Sequence, residues 1–424
     1  MQSLKISPGG SARGSFRAPA DKSLTHRAYL FAAIANGPCQ VMNPLRGEDC
    51  ENTRQCLEAM GMHSVEIPDG YLLKPVLEWR QPDHDLECGN SGTTMRLLSG
   101  LISSRPITAT LVGDASLSRR PMKRIATPLE LMGASIEGER PPLKISGAQL
   151  NGISYFSPVA SAQIKSCVLL AGLRADGETS VTEPAQSRNH TEIMLKALGA
   201  EIKVEGLKVT VKPSQLKAFT MSVPGDISSA AFLMVLGVCL PGSEITIQNV
   251  GINPSRTGIL DVLNTTGANW FFENVRSELG EEVADFRVQF TKMRHPFVIE
   301  GAMVPRLVDE IPVLALLATQ CQGKTIIRDA QELKVKESDR IAMTATLLNS
   351  MGAEVATTED GLEITGPTPL HGTTFDADGD HRMAMTAAIA GILATTGDTL
   401  IHGADSIRTS FPEFESILEK LLVK

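Results

Sequence analysis

The stretch Lys334–Ala342, KVKESDRIA, sets Lys336, Glu337, Asp339 and Arg340 within five positions, directly ahead of an apolar run from Ile341 to Leu348. If a helix runs back through them, Glu337 and Arg340 share a face at three apart, as do Lys336 and Arg340 at four apart. One reading is a solvated first turn with internal ion pairs. The other is a carboxylate poised by flanking cations where anions bind, able to give or take a proton.

Similar polar starts precede other apolar, Ala-rich stretches. They are Asp21-Lys22-Ser23 before LTHRAYLFAAIA, Asn90-Ser91-Gly92-Thr93 before TMRLLSGLI, and Ser161-Ala162-Gln163 before IKSCVLLAGL. Further on come Gly225-Asp226 before ISSAAFLMVLG, Asp309-Glu310 before IPVLALLAT, and Asp380-His381-Arg382 before MAMTAAIAGILA. Helix bodies this apolar belong in a core. Their charged and hydroxylic starts cannot be buried without partners, and free N–H groups at a helix start favour anions. Further cations, Arg119-Arg120, Arg188, Arg256, Lys336, Arg340 and Arg408, stand at the starts of the intervening helices. Arg in several of these places suits bidentate recognition of carboxylate or phosphate, although each alone also fits a surface charge.

The elements that position these starts repeat. A helix, a Gly and a strand recur as LEAMGMHSVEI, LELMGASIE, LKALGAEIKV, LNTTGANWFF and LNSMGAEVA, with glycines at 61, 133, 199, 267 and 352. Upstream of each lies an Ala-rich helix, a turn and a short β-branched strand, and a sixth, truncated copy ends the chain. Six α/β units divide into two domains of three, with the boundary near Ser222–Gly225. Three equivalent helix starts should then gather on one face of each domain, and two such faces would make a site for a multiply anionic ligand.

Bulk composition narrows the class. The 424 residues carry a net charge of −8 and only 4% aromatics, which argues against nucleic-acid binding. No apolar run has the length of a membrane span, and the N-terminus MQSLKISPGG lacks a signal-peptide core. Seven cysteines with no CxxC pair read as reduced thiols of a cytoplasmic protein, and their spacing offers no metal site. Gly323-Lys324-Thr325 imitates the end of a P-loop, but Ala318 stands where its first glycine belongs and TIIR reads as strand.

The phrases ADKSLTHR (20–27), GNSGTTMR (89–96), GDASLSRRPM (113–122), SAQIKS (161–166), SRNHTE (187–192), VDEIPVLA (308–315), KVKESDR (334–340) and DGDHRMAM (378–385) resemble the 5-enolpyruvylshikimate-3-phosphate synthase family, in its order and over essentially the whole chain. The resemblance implies an α/β fold of two domains, each of three βαβαββ repeat units in an inverse α/β barrel-like arrangement. The active site would lie in the interdomain cleft, which closes on its ligands. One domain would comprise 18–222, the other 1–17 with 223–424.

The implied reaction moves the enolpyruvyl group of phosphoenolpyruvate to the 5-hydroxyl of shikimate 3-phosphate through a tetrahedral ketal, releasing phosphate. By resemblance Lys22, Asp309 and Glu337 are catalytic. Phosphoenolpyruvate falls to Lys22, Gly92, Arg120, Gln163, Arg340 and Arg382. Shikimate 3-phosphate falls to Lys22, Ser23, Arg27, Ser161, Gln163, Arg188, Asp309 and Lys336. No cofactor, metal, nucleic-acid or membrane partner is expected, and a monomer is. Some members carry Lys where Thr409 stands, two residues before Phe411-Pro412; Ser where Ala162 stands; and Pro where Leu97 stands. The alternatives are a UDP-N-acetylglucosamine enolpyruvyl transferase, whose reactive Cys has no counterpart in Gly113–Pro121, and a non-catalytic anion-binding scaffold.

Overall fold

The computed structural model describes residues 3–292 and 294–423. All six Ala-rich stretches are helices: Lys22–Ile34 (α1), Gly92–Ser103 (α2), Ala162–Gly172 (α3), Ile227–Cys239 (α4), Ile311–Ala318 (α5) and His381–Leu393 (α6). Five of them begin where the sequence supplies a capping side chain. Asp21, Ser91, Ser161, Asp226 and Asp380 each accept a backbone N–H of the first turn. The α5 helix is different, entered through the 3-10 turn Val308–Glu310 with Pro312 in its first turn. The five repeat glycines all have positive φ, between 75° and 113°, which lets each preceding helix stop and the chain turn into its strand.

Two compact units form. One comprises residues 20–224 with 277–281; the other comprises residues 1–19, 225–276 and 282–424. Each has its own continuous apolar core, with α1, α2 and α3 buried in the first and α4, α5 and α6 in the second.

In the first unit three four-stranded sheets follow one plan: an edge strand parallel to the next, then two antiparallel pairings. Leu86–Glu87, Thr108–Val112, Leu143–Ser146 and Ser135–Glu137 show it in full. The sheet of Cys39–Met42 gains its parallel edge from Thr220–Ser222, so the end of this unit completes its beginning. In the second unit only Val298–Ile299, Gly323–Ile327, Leu362–Gly366 and Glu354–Thr357 repeat the plan from one contiguous segment. Its other two sheets borrow from the N-terminus. Ser11–Arg17 lies parallel to Glu244–Gly251, and Leu4–Ile6 pairs antiparallel with Thr399–His402, filling the place the truncated sixth repeat leaves open.

The seven cysteines are buried free thiols. Among the described residues no helix is long and apolar enough to cross a membrane, and no group of three or more His, Cys, Asp or Glu could hold a metal.

Candidate active site

In the first unit the starts of α1, α2 and α3 are tied together by side chains. Lys22 leads α1 and its Nζ pairs with Asp49 Oδ2 at 2.9 Å. The Asp49 backbone carbonyl accepts the Thr94 hydroxyl at 3.1 Å, which joins α1 to α2. Gln163, in the first turn of α3, donates to Thr93 Oγ1 at 3.0 Å and accepts from Arg96. Arg120 donates to Asn90 Oδ1 at 2.6 Å, bringing a second guanidinium to the start of α2. Gly92 lies against both cations. A Cβ there would stand 2.9 Å from Arg96 and 3.5 Å from Arg120.

Arg27 lies within α1, one turn after Ser23. It is 3% exposed and donates to Thr191 Oγ1, Ser166 Oγ and the Ser23 carbonyl at 2.7–2.9 Å. Burial pushes it down to about 10, against the opposing charge of Glu192. It therefore works at least as a brace between α1, α3 and the helix His190–Ala197. Ser161 caps α3 with its hydroxyl, and its own N–H goes to Glu183 Oε1 at 2.8 Å. Arg188 is half-buried in the segment leading to that helix.

Beneath Lys22, His26 is fully buried with Nδ1 2.8 Å from Thr53 Oγ1. Burial, helped by the Lys22 and Arg27 charges against those of Asp49 and Asp21, lowers it from its ordinary 6.5 to about 3. A group protonated more easily when unfolded favours unfolding in acid. Stability is therefore full above pH 6.5 and falls as pH drops from 6.5 towards 3. The slope approaches about 1.4 kcal/mol per pH unit. Urea unfolding followed between pH 7 and pH 5 should show that slope, and His26→Gln should flatten it.

In the second unit the candidates converge on Arg340. Its side chain is 1% exposed, and its Nε and NH2 meet the fully buried Asp380 carboxylate at 2.8 and 3.2 Å. NH2 also reaches Glu337 Oε2 at 2.6 Å, and NH1 reaches Asp309 Oδ1 at 3.4 Å. Burial opposes this charge, but Glu337, Asp380 and Asp309 outweigh it and keep the guanidinium firmly protonated. Lys336 and Arg382 approach Asp309 at 4.0 and 3.9 Å. One carboxylate thus faces three cations, and Glu337 shares one of them.

The route by which Glu337 reaches Arg340 differs from the sequence expectation. The helix begins only at Arg340, because Asp339 accepts the N–H groups of Ile341 and Ala342 and acts as its cap. Lys336 and Glu337 lie before it, after the 3-10 turn Gln331–Val335, so no shared helical face sets their contacts. The cap residue Asp339, at φ −75° and ψ 88°, leaves the helical path, and Glu337 meets Arg340 from across it.

Of the residues that hold the candidates, Asp49 and Arg96 were given no role from sequence, and Asn90 and Asp380 were named only as helix starts. Asp49, Arg96 and Asn90 orient Lys22, Gln163 and Arg120, and Asp380 is the main counter-ion of Arg340. For Asp380 there was a signal. A carboxylate at the cap of a helix this apolar is buried with it, and a buried carboxylate needs a cation. Arg119 and Arg408 are exposed, and Arg256 is spent on the buried Asp226 at 2.9 Å.

The family model of EPSP synthase (3-phosphoshikimate 1-carboxyvinyltransferase) matches residues 6–418. The chain belongs to this family. A 3-phosphoshikimate 1-carboxyvinyltransferase of Desulforamulus reducens is 49% identical, with 99% of this chain and 100% of that one covered. Its namesake in Streptococcus pyogenes is 44% identical, with 99% of each covered. EPSP synthase from Acinetobacter baumannii superposes with a TM-score of 0.91 at 41% identity, covering 100% of this chain and 99% of that one. The enolpyruvyl transferase NikO from Streptomyces tendae matches at a TM-score of 0.78 and 20% identity, over 99% of this chain and 97% of its own, a likeness of fold. These likenesses give the chain the two-domain enolpyruvyl transferase fold. They favour EPSP synthase over the sugar-nucleotide alternative.

Proposed function

We propose that the chain transfers the enolpyruvyl group of phosphoenolpyruvate to the 5-hydroxyl of shikimate 3-phosphate, as an EPSP synthase. The observation that carries the residue roles is the pair of carboxylates, Asp309 and Glu337, held on one buried guanidinium. Addition requires one proton delivered to the methylene carbon and one removed from the attacking hydroxyl. Elimination then removes a methyl proton and expels phosphate. Two carboxylates fixed at different sides of one cation are suited to those separate transfers.

In this reading Glu337 exchanges the proton with the methylene carbon and Asp309 receives the hydroxyl proton, with Lys22 charge-stabilising the reacting oxygens. Arg120, Gln163, Arg340 and Arg382, with Gly92 leaving room, take the phosphate and carboxylate of phosphoenolpyruvate. Ser23, Arg27, Ser161, Gln163, Arg188 and Lys336 take shikimate 3-phosphate. Each unit supplies part of the set. Catalysis is then mainly positioning and electrostatic stabilisation by prearranged cations. The buried free thiols suit a reducing, cytoplasmic setting.

The test is phosphate release from phosphoenolpyruvate with shikimate 3-phosphate or UDP-N-acetylglucosamine as acceptor. Release with the first alone is expected; release with the second alone would overturn the proposal. A methyl at position 92 gives a finer check. Gly92→Ala must displace the Arg96 guanidinium, 2.9 Å from the new carbon, and crowd Arg120. Because a small misplacement of a binding cation is costly, the KM for phosphoenolpyruvate should rise about tenfold. The KM for shikimate 3-phosphate should move far less.

A further inference from the structure

Within the first unit a cavity of about 320 Å³ opens among Lys165, Glu183, Ser187, Glu192, Val204 and Leu207. It is lined by none of the residues assigned above to either substrate. Its polar end is a buried triad. Lys165 Nζ stands 2.7 Å from Glu183 Oε2 and 2.8 Å from Glu192 Oε1, and the three side chains are 3–5% exposed.

The two carboxylates are not equally satisfied. Glu183 also accepts the Ser187 hydroxyl at 2.9 Å and the Ser161 N–H at 2.8 Å. Glu192 Oε2 is buried and has no hydrogen-bond partner. Arg27, whose charge acts on Glu192, directs its bonds to Ser23, Ser166 and Thr191 and gives none to it. A buried carboxylate oxygen without a donor is costly, so the site is complete only when something donates to it.

The other end of the cavity is apolar and open. Val204 and Leu207, on the hairpin Ile202–Val211, are 56% and 41% exposed, and Ile193 and Ile202 also line the cavity. A volume near 300 Å³ is at the small end of ligand pockets. An open acceptor on a triad of one cation and two anions selects a charged N–H donor, and the rim selects a hydrocarbon body.

We infer that this cavity binds a small organic ammonium, its head on Glu192 Oε2 and its hydrocarbon against Val204 and Leu207. The site is separate from the substrate set, and its test does not involve turnover. Benzylammonium chloride titrated into the full chain, followed by ligand-observed NMR and calorimetry, should show saturable binding at about 1 mM or tighter. Benzyl alcohol, of the same shape without the charge, should bind at least about tenfold more weakly, as should benzylammonium to Glu192→Gln. If Glu192→Gln does not fold, Val204→Arg decides, since it sets a cation and bulk in the mouth while leaving the triad intact. Loss of binding there supports the site. Absence of saturable binding to the unaltered chain, equal binding of the alcohol, or undiminished binding to the altered chains would each overturn it.

Discussion

Glu337→Gln is expected to lower kcat by about 10²–10⁴-fold, the usual worth of a positioned acid–base group, while the KM of both substrates stays within a few-fold. The substitution keeps the side chain's shape and an oxygen that can accept from Arg340, 2.6 Å away in the native chain. Its side chain is 26% exposed, but its partner Arg340 is buried and relies on its charge, so a modest part of the stability rests on the pair. Thermal unfolding should come at a modestly lower temperature, with the fold retained. A variant with native turnover would remove Glu337 from the chemistry. A large rise in the phosphoenolpyruvate KM with kcat preserved would recast it as a binding residue.

Arg340→Met is expected to be damaging in a different way, through stability as well as activity. It leaves Asp380, at 0% exposure, as a buried carboxylate without its main counter-ion. Breaking such a pair from one side costs about 3–5 kcal/mol. Arg340→Met/Asp380→Asn should regain much of that stability, because the uncompensated charge is gone, yet remain inactive, because the phosphoenolpyruvate cation is still missing. Denaturant unfolding of the single and double variants alongside phosphate release separates the two effects. Recovery of activity in the double variant would show that Arg340 serves only the fold. The same pair sets an acid limit. Burial would raise the Asp380 carboxyl, but the Arg340 charge and hydrogen bond, with His381, outweigh it and hold it below its ordinary 3.8. Its contribution is thus fully present above pH 3.8 and is lost only as pH falls further, towards the lower folded value.

Local signals in the sequence were legible where one residue type had one physical use. Asp21, Ser91, Ser161 and Asp380 announced helix starts because a capping oxygen followed by an apolar run has few other uses. The glycines at 61, 133, 199, 267 and 352 announced helix ends for an equally local reason. The six-fold repeat followed from both. The site was legible in its residue types and less so in their partners. Glu337 and Arg340 are close in sequence and meet, but through a cap and not a helical face. Arg27 carries the charge a phosphate needs, and its bonds to Ser166 and Thr191 bind it to two other helices. Such pairings join residues more than a hundred positions apart, and nothing in the spacing along one segment encodes them.

The N-terminal strands have a consequence for the order in which the protein is made. Among the described residues Ser11–Arg17 finds its neighbours in Glu244–Gly251 and Leu422–Val423, and Leu4–Ile6 finds its own in Thr399–His402. The Thr220–Ser222 strand, by contrast, closes the first sheet of its unit as soon as that segment has emerged. During synthesis from the N-terminus, the earliest segments of the chain must wait as unpaired β edges while the intervening unit collapses. Leu4–Ile6 is made well before the strand it pairs with, and the nascent chain carries that edge until Thr399–His402 has been made.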